Sequence, residues 1–226
     1  MTRNLKIVGM AALACLALSA VVASAAQAAV EFHKPAGEEI RLTVTPDGAG
    51  ATAHQVFDAA GASITCPDVS GETLLAAAEN TSPTITAEKI QYPAAGSAAC
   101  KFVGQSATVN MKECDYKFTA AAPGTPGANA AVEVKCKNAG EEIEFKVPNP
   151  VCTVTVPPQV LAGVTYHNNA AKSEVTVEAH VAGISYTAAG AGCPEVGAKV
   201  NGNYTTGNFI VTGESTAGLM RPVFVE

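Results

Sequence analysis

The residues able to do chemistry are few and scattered. The four histidines, His33, His54, His167 and His180, form neither an HExxH nor a His-x-His spacing, so local structure places no two of them to hold a metal or relay a proton. His180 follows Glu178 by two residues in an alternating segment and is expected to face outward; His167 is expected at the Asn168–Asn169 turn. The histidines are expected to converge neither on one another nor on a serine and acid. Glu38-Glu39 and Glu141-Glu142 invite a carboxylate-pair reading. Adjacent residues on a strand point to opposite faces, so neither pair can flank one glycosidic bond. Asp47, Asp58, Asp68 and Asp115 are isolated, which leaves no calcium loop. No GxSxG elbow occurs. There is no Trp to serve as a sugar platform; Tyr92 and Tyr186 are read as packing positions, with paired binding spots as the alternative. No catalytic, cofactor-binding or metal residue is assigned, and no cofactor is expected.

The elements that must carry these residues belong to a chain of 226 residues with 20 acidic and 14 basic side chains and a net charge of -6. It is 48% apolar, which is too much for a disordered acidic tail. Its acidity and scattered Lys and Arg offer nothing to a nucleic-acid backbone.

Residues 1–28 read as an export leader. Arg3 and Lys6 precede an uncharged run from Ile7 to Val22, then Ala23-Ser24-Ala25 and Ala26-Gln27-Ala28. Cleavage after Ala28 is favoured over retention as a membrane anchor. The mature chain would lose two bases and no acid, leaving a charge of -8 and six cysteines, with no later apolar run long enough to span a membrane as a helix. Its expected place is outside the cell or in the cell envelope, with an extracellular or cell-surface partner that the sequence does not identify.

The mature chain looks duplicated. Lys34-Pro35-Ala36-Gly37-Glu38-Glu39-Ile40 recurs as Lys137-Asn138-Ala139-Gly140-Glu141-Glu142-Ile143. Ile90, Tyr92 and Gly96 recur as Ile184, Tyr186 and Gly190, Cys100 as Cys193, and Ala107-Thr108-Val109-Asn110 as Ala198-Lys199-Val200-Asn201. The organisation expected is a β unit at 29–122, a Pro/Gly/Ala linker at 123–130 and a second β unit at 131–226. Six cysteines in an exported chain read as three disulfides, with 15 possible connectivities. The repeat selects Cys66–Cys100 and Cys152–Cys193, one in each unit. Cys114–Cys136 remains, stapling the units across the linker. Closing loops of 34, 41 and 22 residues stabilises by about 3–4 kcal/mol each in a chain-entropy account.

Apolar residues recur with period two. Ile40, Leu42 and Val44 alternate with Arg41 and Thr43; Ile143, Phe145 and Val147 with Glu144 and Lys146; Val175, Val177, Ala179 and Val181 with Thr176, Glu178 and His180. This is the pattern of half-buried strands. Ile184 and Tyr186 take the opposite parity after Gly183, which predicts a bulge at Ala182-Gly183. Asn201-Gly202 reads as a type I′ hairpin turn, and Gly71–Asn80 is the one helix-tolerant stretch. The fold class expected is all-β: two tandem, similar, antiparallel sandwich- or barrel-like units stapled by disulfides, with thin cores because aromatics are only 5% of the chain.

Val109-Asn110-Met111-Lys112-Glu113-Cys114-Asp115-Tyr116-Lys117-Phe118, Cys152-Thr153-Val154-Thr155-Val156-Pro157-Pro158-Gln159 and Val164-Thr165-Tyr166-His167-Asn168-Asn169 carry a resemblance. The chain resembles the secreted, Ala/Thr-rich, disulfide-containing β proteins present as many paralogues in high-GC soil bacteria. The resemblance implies export and β structure and implies no activity. The function expected is that of a non-catalytic exported β protein with a binding or structural role. The alternatives are a secreted hydrolase whose site is assembled from separated strands, or a small-ligand carrier, which needs a lined cavity. Mass spectrometry of the protein exported by its natural host should find an N-terminus at Ala29; an intact Met1 in that product would exclude cleavage.

Overall fold

A computed structural model describes residues 30–46, 55–67, 69–76, 80–92, 99–124, 130–206 and 209–226. The segment read as an export leader, His54 and most of the Pro46-Asp47-Gly48 turn lie outside them. Every regular element among the described residues is a strand. The strands form eight consecutive staves. After β1 (Phe32–His33), the first stave is β2 (Ile40–Pro46) with β3 (Gln55–Ala59), and the second is β4 (Ala62–Cys66) with β5 (Ser70–Leu75). Past β6 (Thr81–Ser82), the third is β7 (Thr84–Gln91) with β8 (Cys100–Phe102), and the fourth β9 (Gln105–Asn110) with β10 (Cys114–Thr119). The fifth is β11 (Ala131–Cys136) with β12 (Ile143–Pro148); the sixth is β13 (Val151–Val156), β14 (Gln159–Ala162) and β15 (Val164–Asn168). The seventh is β16 (Glu174–Ala189) alone, the eighth β17 (Gly197–Thr206) with β18 (Phe209–Ser215), followed by β19 (Met220–Arg221) and β20 (Phe224–Val225).

Each stave pairs antiparallel with the next, and the eighth returns to the first. Toward one end the ring runs β3, β4, β8, β9, β12, β13, β16, β17 and back to β3. Toward the other it runs β2, β5, β7, β10, β11, then β14 with β15, β16, β18 and back to β2. The protein is one eight-stranded up-and-down barrel. Residues 29–122 supply four staves and 131–226 the other four, so neither stretch closes a ring by itself. Four twisted strands would leave two unpaired edges, and each half covers the other's. Three of the four matched segments lead to staves four steps apart, while Cys193 falls in the turn after β16 and has no place on a stave like that of Cys100; Ile40 also opens β2 in one ring and Ile143 opens β12 in the other. That match does not join equivalent positions, and a tandem duplication is not shown.

Period-two alternation sends Leu42, Phe57, Ile64, Phe102, Phe145, Val154 and Val177 inward and buries them in one continuous core. Burying each such side chain is worth about 1.5–3 kcal/mol. Arg41, Asp58, Lys146 and His180 face out, the reverse of a barrel whose outer face meets lipid. Two of the tight turns have both central residues at positive φ: Ala60-Gly61 (54° and 77°) between β3 and β4, and Val103-Gly104 (50° and 77°) between β8 and β9; Asn149-Pro150, between β12 and β13, turns through a cis peptide bond instead. At the opposite end β1 lies between β6 and β20 as a small capping sheet. There the Phe32 ring meets Tyr166 edge-on at 5.3 Å, and Arg221 forms a two-pronged ion pair with Glu38.

Two local readings give way to the ring. Gly71–Leu75, expected to tolerate helix, is in β5, because β2 and β7 flank it and take its backbone hydrogen bonds. Asn201-Gly202 is no hairpin; it lies within β17, where a Cβ on Gly202 would come within 3.0 Å of both the Phe57 ring and the Ile184 carbonyl oxygen. The β16–β17 register does shift between Ala182 and Ile184, around Gly183 at φ 76°. At the sixth stave Pro157 and Pro158 bring no amide hydrogen. The Gln159 side chain fills the gap, donating to the Ser185 carbonyl at 3.0 Å and accepting from the Ser185 amide at 2.9 Å.

The disulfides are Cys66–Cys100, Cys114–Cys136 and Cys152–Cys193, the two pairs that the matched segments select and the one that remains. Each ties neighbouring staves: second to third, fourth to fifth, and β13 to the turn after β16. Because β4 and β8 share only two ladder pairs, Cys66–Cys100 holds the ring where its backbone pairing is shortest. The double substitution Cys66→Ala with Cys100→Ala should lower stability by about 2–4 kcal/mol in one urea transition seen alike by near- and far-UV circular dichroism. Two separate transitions would mean that the halves fold as independent units.

Candidate functional site

Eight strands close an interior just wide enough to be filled by side chains or to hold one small ligand. Here it is filled mostly by Val, Ala and Ile, with seven Phe, five Tyr and no Trp in the whole chain. A cavity of about 140 Å³ remains along the axis. Its wall draws on both rings, with Phe57 and Phe145 from one and Leu42, Ile85, Ala87 and Val177 from the other. No charged residue is among the described residues that line it.

One part of the wall is polar. Gln55, the first residue of β3, shares the inward parity of Phe57 and Ala59 and is only 2% exposed. Its Oε1 accepts a short hydrogen bond from the Tyr204 hydroxyl of β17, two neighbouring staves being paired here through Tyr204↔Phe57 and Thr206↔Gln55. Its Nε2 has no partner among the described residues. A buried amide left in that state costs about 1–3 kcal/mol. The Tyr92 and Tyr116 hydroxyls lie 3.4 Å apart and carry the polar lining on from there. These three tyrosines are half-buried by area, with their hydroxyls turned to the interior. Desolvation by burial comes first in pushing all three phenols above their usual value; Tyr204 adds to the shift of Tyr92, Tyr92 to that of Tyr116, and Tyr116 to that of Tyr204. Tyr166 is raised by burial alone, and its hydroxyl donates to the Thr119 carbonyl at 2.9 Å. The wall therefore offers neutral hydrogen-bonding groups and no ion.

Among the described residues, the histidines and acids singled out from sequence lie elsewhere, as does Tyr186, while Tyr92 lines the cavity. His33 stacks on Phe224 at 4.8 Å. His167 and His180 do converge, contrary to expectation: both reach the Glu178 carboxylate, at 3.7 and 2.7 Å. His167 lies within β15, and its pairing with β16 places Thr165 opposite Glu178 and His167 opposite Thr176. His167 and Glu178 thus become diagonal neighbours on the outer face. The trio is open to solvent, and no metal-binding group of three such side chains occurs among the described residues. Glu38 is held by Arg221, whose hydrogen bond first and charge second keep its carboxyl below the ordinary range. Glu141 accepts from the Asn138 amide at 3.1 Å and side chain at 2.9 Å. Neither acidic pair faces a cleft. Tyr186 accepts from the Ala60 amide at 2.9 Å and donates to Asn201 at 3.1 Å, a packing role that Tyr92 does not share.

Sequence reasoning missed Gln55, Tyr116 and Tyr204 as a group. The available signal was parity: Gln55 is a polar residue on the inward register of an apolar strand. No known protein family, curated protein or solved structure matches the chain.

The raised phenols stabilise the fold fully below the unfolded-state value of about pH 10. That contribution is lost as pH climbs from there toward the folded-state values. Absorbance at 295 nm should show Tyr92, Tyr116, Tyr166 and Tyr204 ionising together with unfolding; free titration of all four near pH 10 in a folded barrel would contradict their burial.

Proposed function

We propose that this is an exported, non-catalytic binding protein that carries a small apolar molecule inside its barrel. The observation that carries the reading is the 140 Å³ cavity, lined by apolar side chains from both rings and closed round by all eight staves. Apolar cavities of about this size accept a benzene ring. A binding role also fits where the reactive side chains are: among the described residues, the convergence of His167 and His180 on Glu178 lies on the outer face, away from the cavity. Export belongs to the same reading, since three disulfides between neighbouring staves suit an oxidising compartment. So does an origin by duplication of a four-stave half-barrel, which the four-step spacing of three matched segments suggests.

The test is thermal unfolding of the oxidised mature chain with benzene, toluene or cyclohexane added. The midpoint should rise with concentration, by the equivalent of about 2.7 kcal/mol at a hundred times Kd. Ala87→Leu, which fills the cavity from β7, should abolish the rise. No shift with any of the three compounds, or an equal shift in the filled variant, would reject the carrier reading.

A further inference from the structure

We propose that the molecule held in the barrel is uncharged and carries a single hydrogen-bond acceptor, a carbonyl or ether oxygen, on an apolar body of about six to eight non-hydrogen atoms, and that Gln55 Nε2 is the donor that fixes it. The inference rests on the carrier reading and names the ligand class that reading leaves open. Gln55 is 2% exposed and lines the cavity. Its Oε1 is engaged by the Tyr204 hydroxyl, so the amide is held with Nε2 toward the cavity, and Nε2 has no partner among the described residues. A primary amide nitrogen is a donor only; the group that satisfies it must accept. Around it the wall is Phe, Val, Ile and Ala, which suits a hydrocarbon body. An ionised ligand would meet no counter-charge, since no charged residue lines the cavity among those described, and burying an unpaired ion is prohibitive. Tyr92 and Tyr116, 3.4 Å apart at the same polar pole, give the acceptor oxygen a hydrogen-bonding neighbourhood without a charge.

The inference separates two probes of nearly equal shape, cyclohexanone and methylenecyclohexane, which differ by an oxygen in place of a CH2 group. Both are titrated into the oxidised mature protein and into Gln55→Met. The loss of one hydrogen bond should weaken cyclohexanone about three- to tenfold in Gln55→Met, while methylenecyclohexane binds the two proteins equally or prefers the variant. In the unaltered protein, the Gln55 side-chain amide resonances should move with cyclohexanone and stay in place with methylenecyclohexane; this readout holds even if Gln55→Met does not fold. Equal effects of the variant on both probes, or an unmoved Gln55 amide when cyclohexanone is bound, would overturn the acceptor assignment and leave the carrier reading standing. Failure of both probes to bind the unaltered protein would overturn both.

Discussion

The barrel depends on the pairing of its first stave with its last. β18 runs against β2 for seven residues, from Phe209↔Pro46 to Ser215↔Ile40, and β17 runs against β3 from Asn203↔Asp58 to Thr206↔Gln55. Without this seam the sheet would have two edges of exposed amides and carbonyls, and its apolar face would open to water. Among the pairings of neighbouring staves the seam joins the parts most distant in sequence, so its closure carries the largest loop entropy of the ring. None of the three disulfides crosses it; they fasten the second stave to the third, the fourth to the fifth and the sixth to the turn leaving the seventh. The seam is held by ladder hydrogen bonds and by the side chains at its ends. Arg221 on Glu38 and the small sheet of β1, β6 and β20 secure the capped end.

Closure also decides what the interior can be. A ring of eight staves has a set width, and the chain supplies mostly Val, Ala and Ile to fill it. The result is one large core shared by both halves, with a cavity along it and a small cluster of Val69, Ala87 and Ile90 beside it, rather than one core in each half. Staves brought together by the ring converge Gln55, Tyr92, Tyr116 and Tyr204 at one place in that apolar wall. Tyr204 engages the Gln55 oxygen and leaves the nitrogen facing inward. An unsatisfied buried donor is costly, and a strand otherwise committed to Phe57 and Ala59 on that face would be more stable with an apolar residue at its start. That cost is why the site is read at Gln55 and not at the exposed histidines.

Much of the fold was legible along the chain. The alternation of Ile40, Leu42 and Val44, or of Val175, Val177 and Ala179, sets strand and inward face, and Gly183 marks its bulge. Several local signals misled because local preference is small beside ring pairing. Gly71–Leu75 has residues that accept a helix, yet lies between β2 and β7. Asn201-Gly202 has turn chemistry, yet Gly202 is needed where the backbone passes the Phe57 ring. Two turns that do occur use Ala60-Gly61 and Val103-Gly104, pairs with a non-glycine residue at positive φ. His167 and His180 looked separate in sequence, and an antiparallel register set them around one carboxylate.

By itself the sequence determined the all-β class and the inward parity of its clearly alternating strands, because these follow from period-two alternation; the cysteine pairs it expected, two from matched segments and Cys114–Cys136 as the remainder, are those that the structure bonds. Tertiary structure alone decided that the two expected units are halves of one barrel. It also decided that Gln55 meets Tyr204 across 149 residues of chain and that a cavity remains along the axis. The physical reason is that edge satisfaction and interior volume belong to the closed ring. No stretch of sequence shorter than the whole circuit of eight staves carries either quantity.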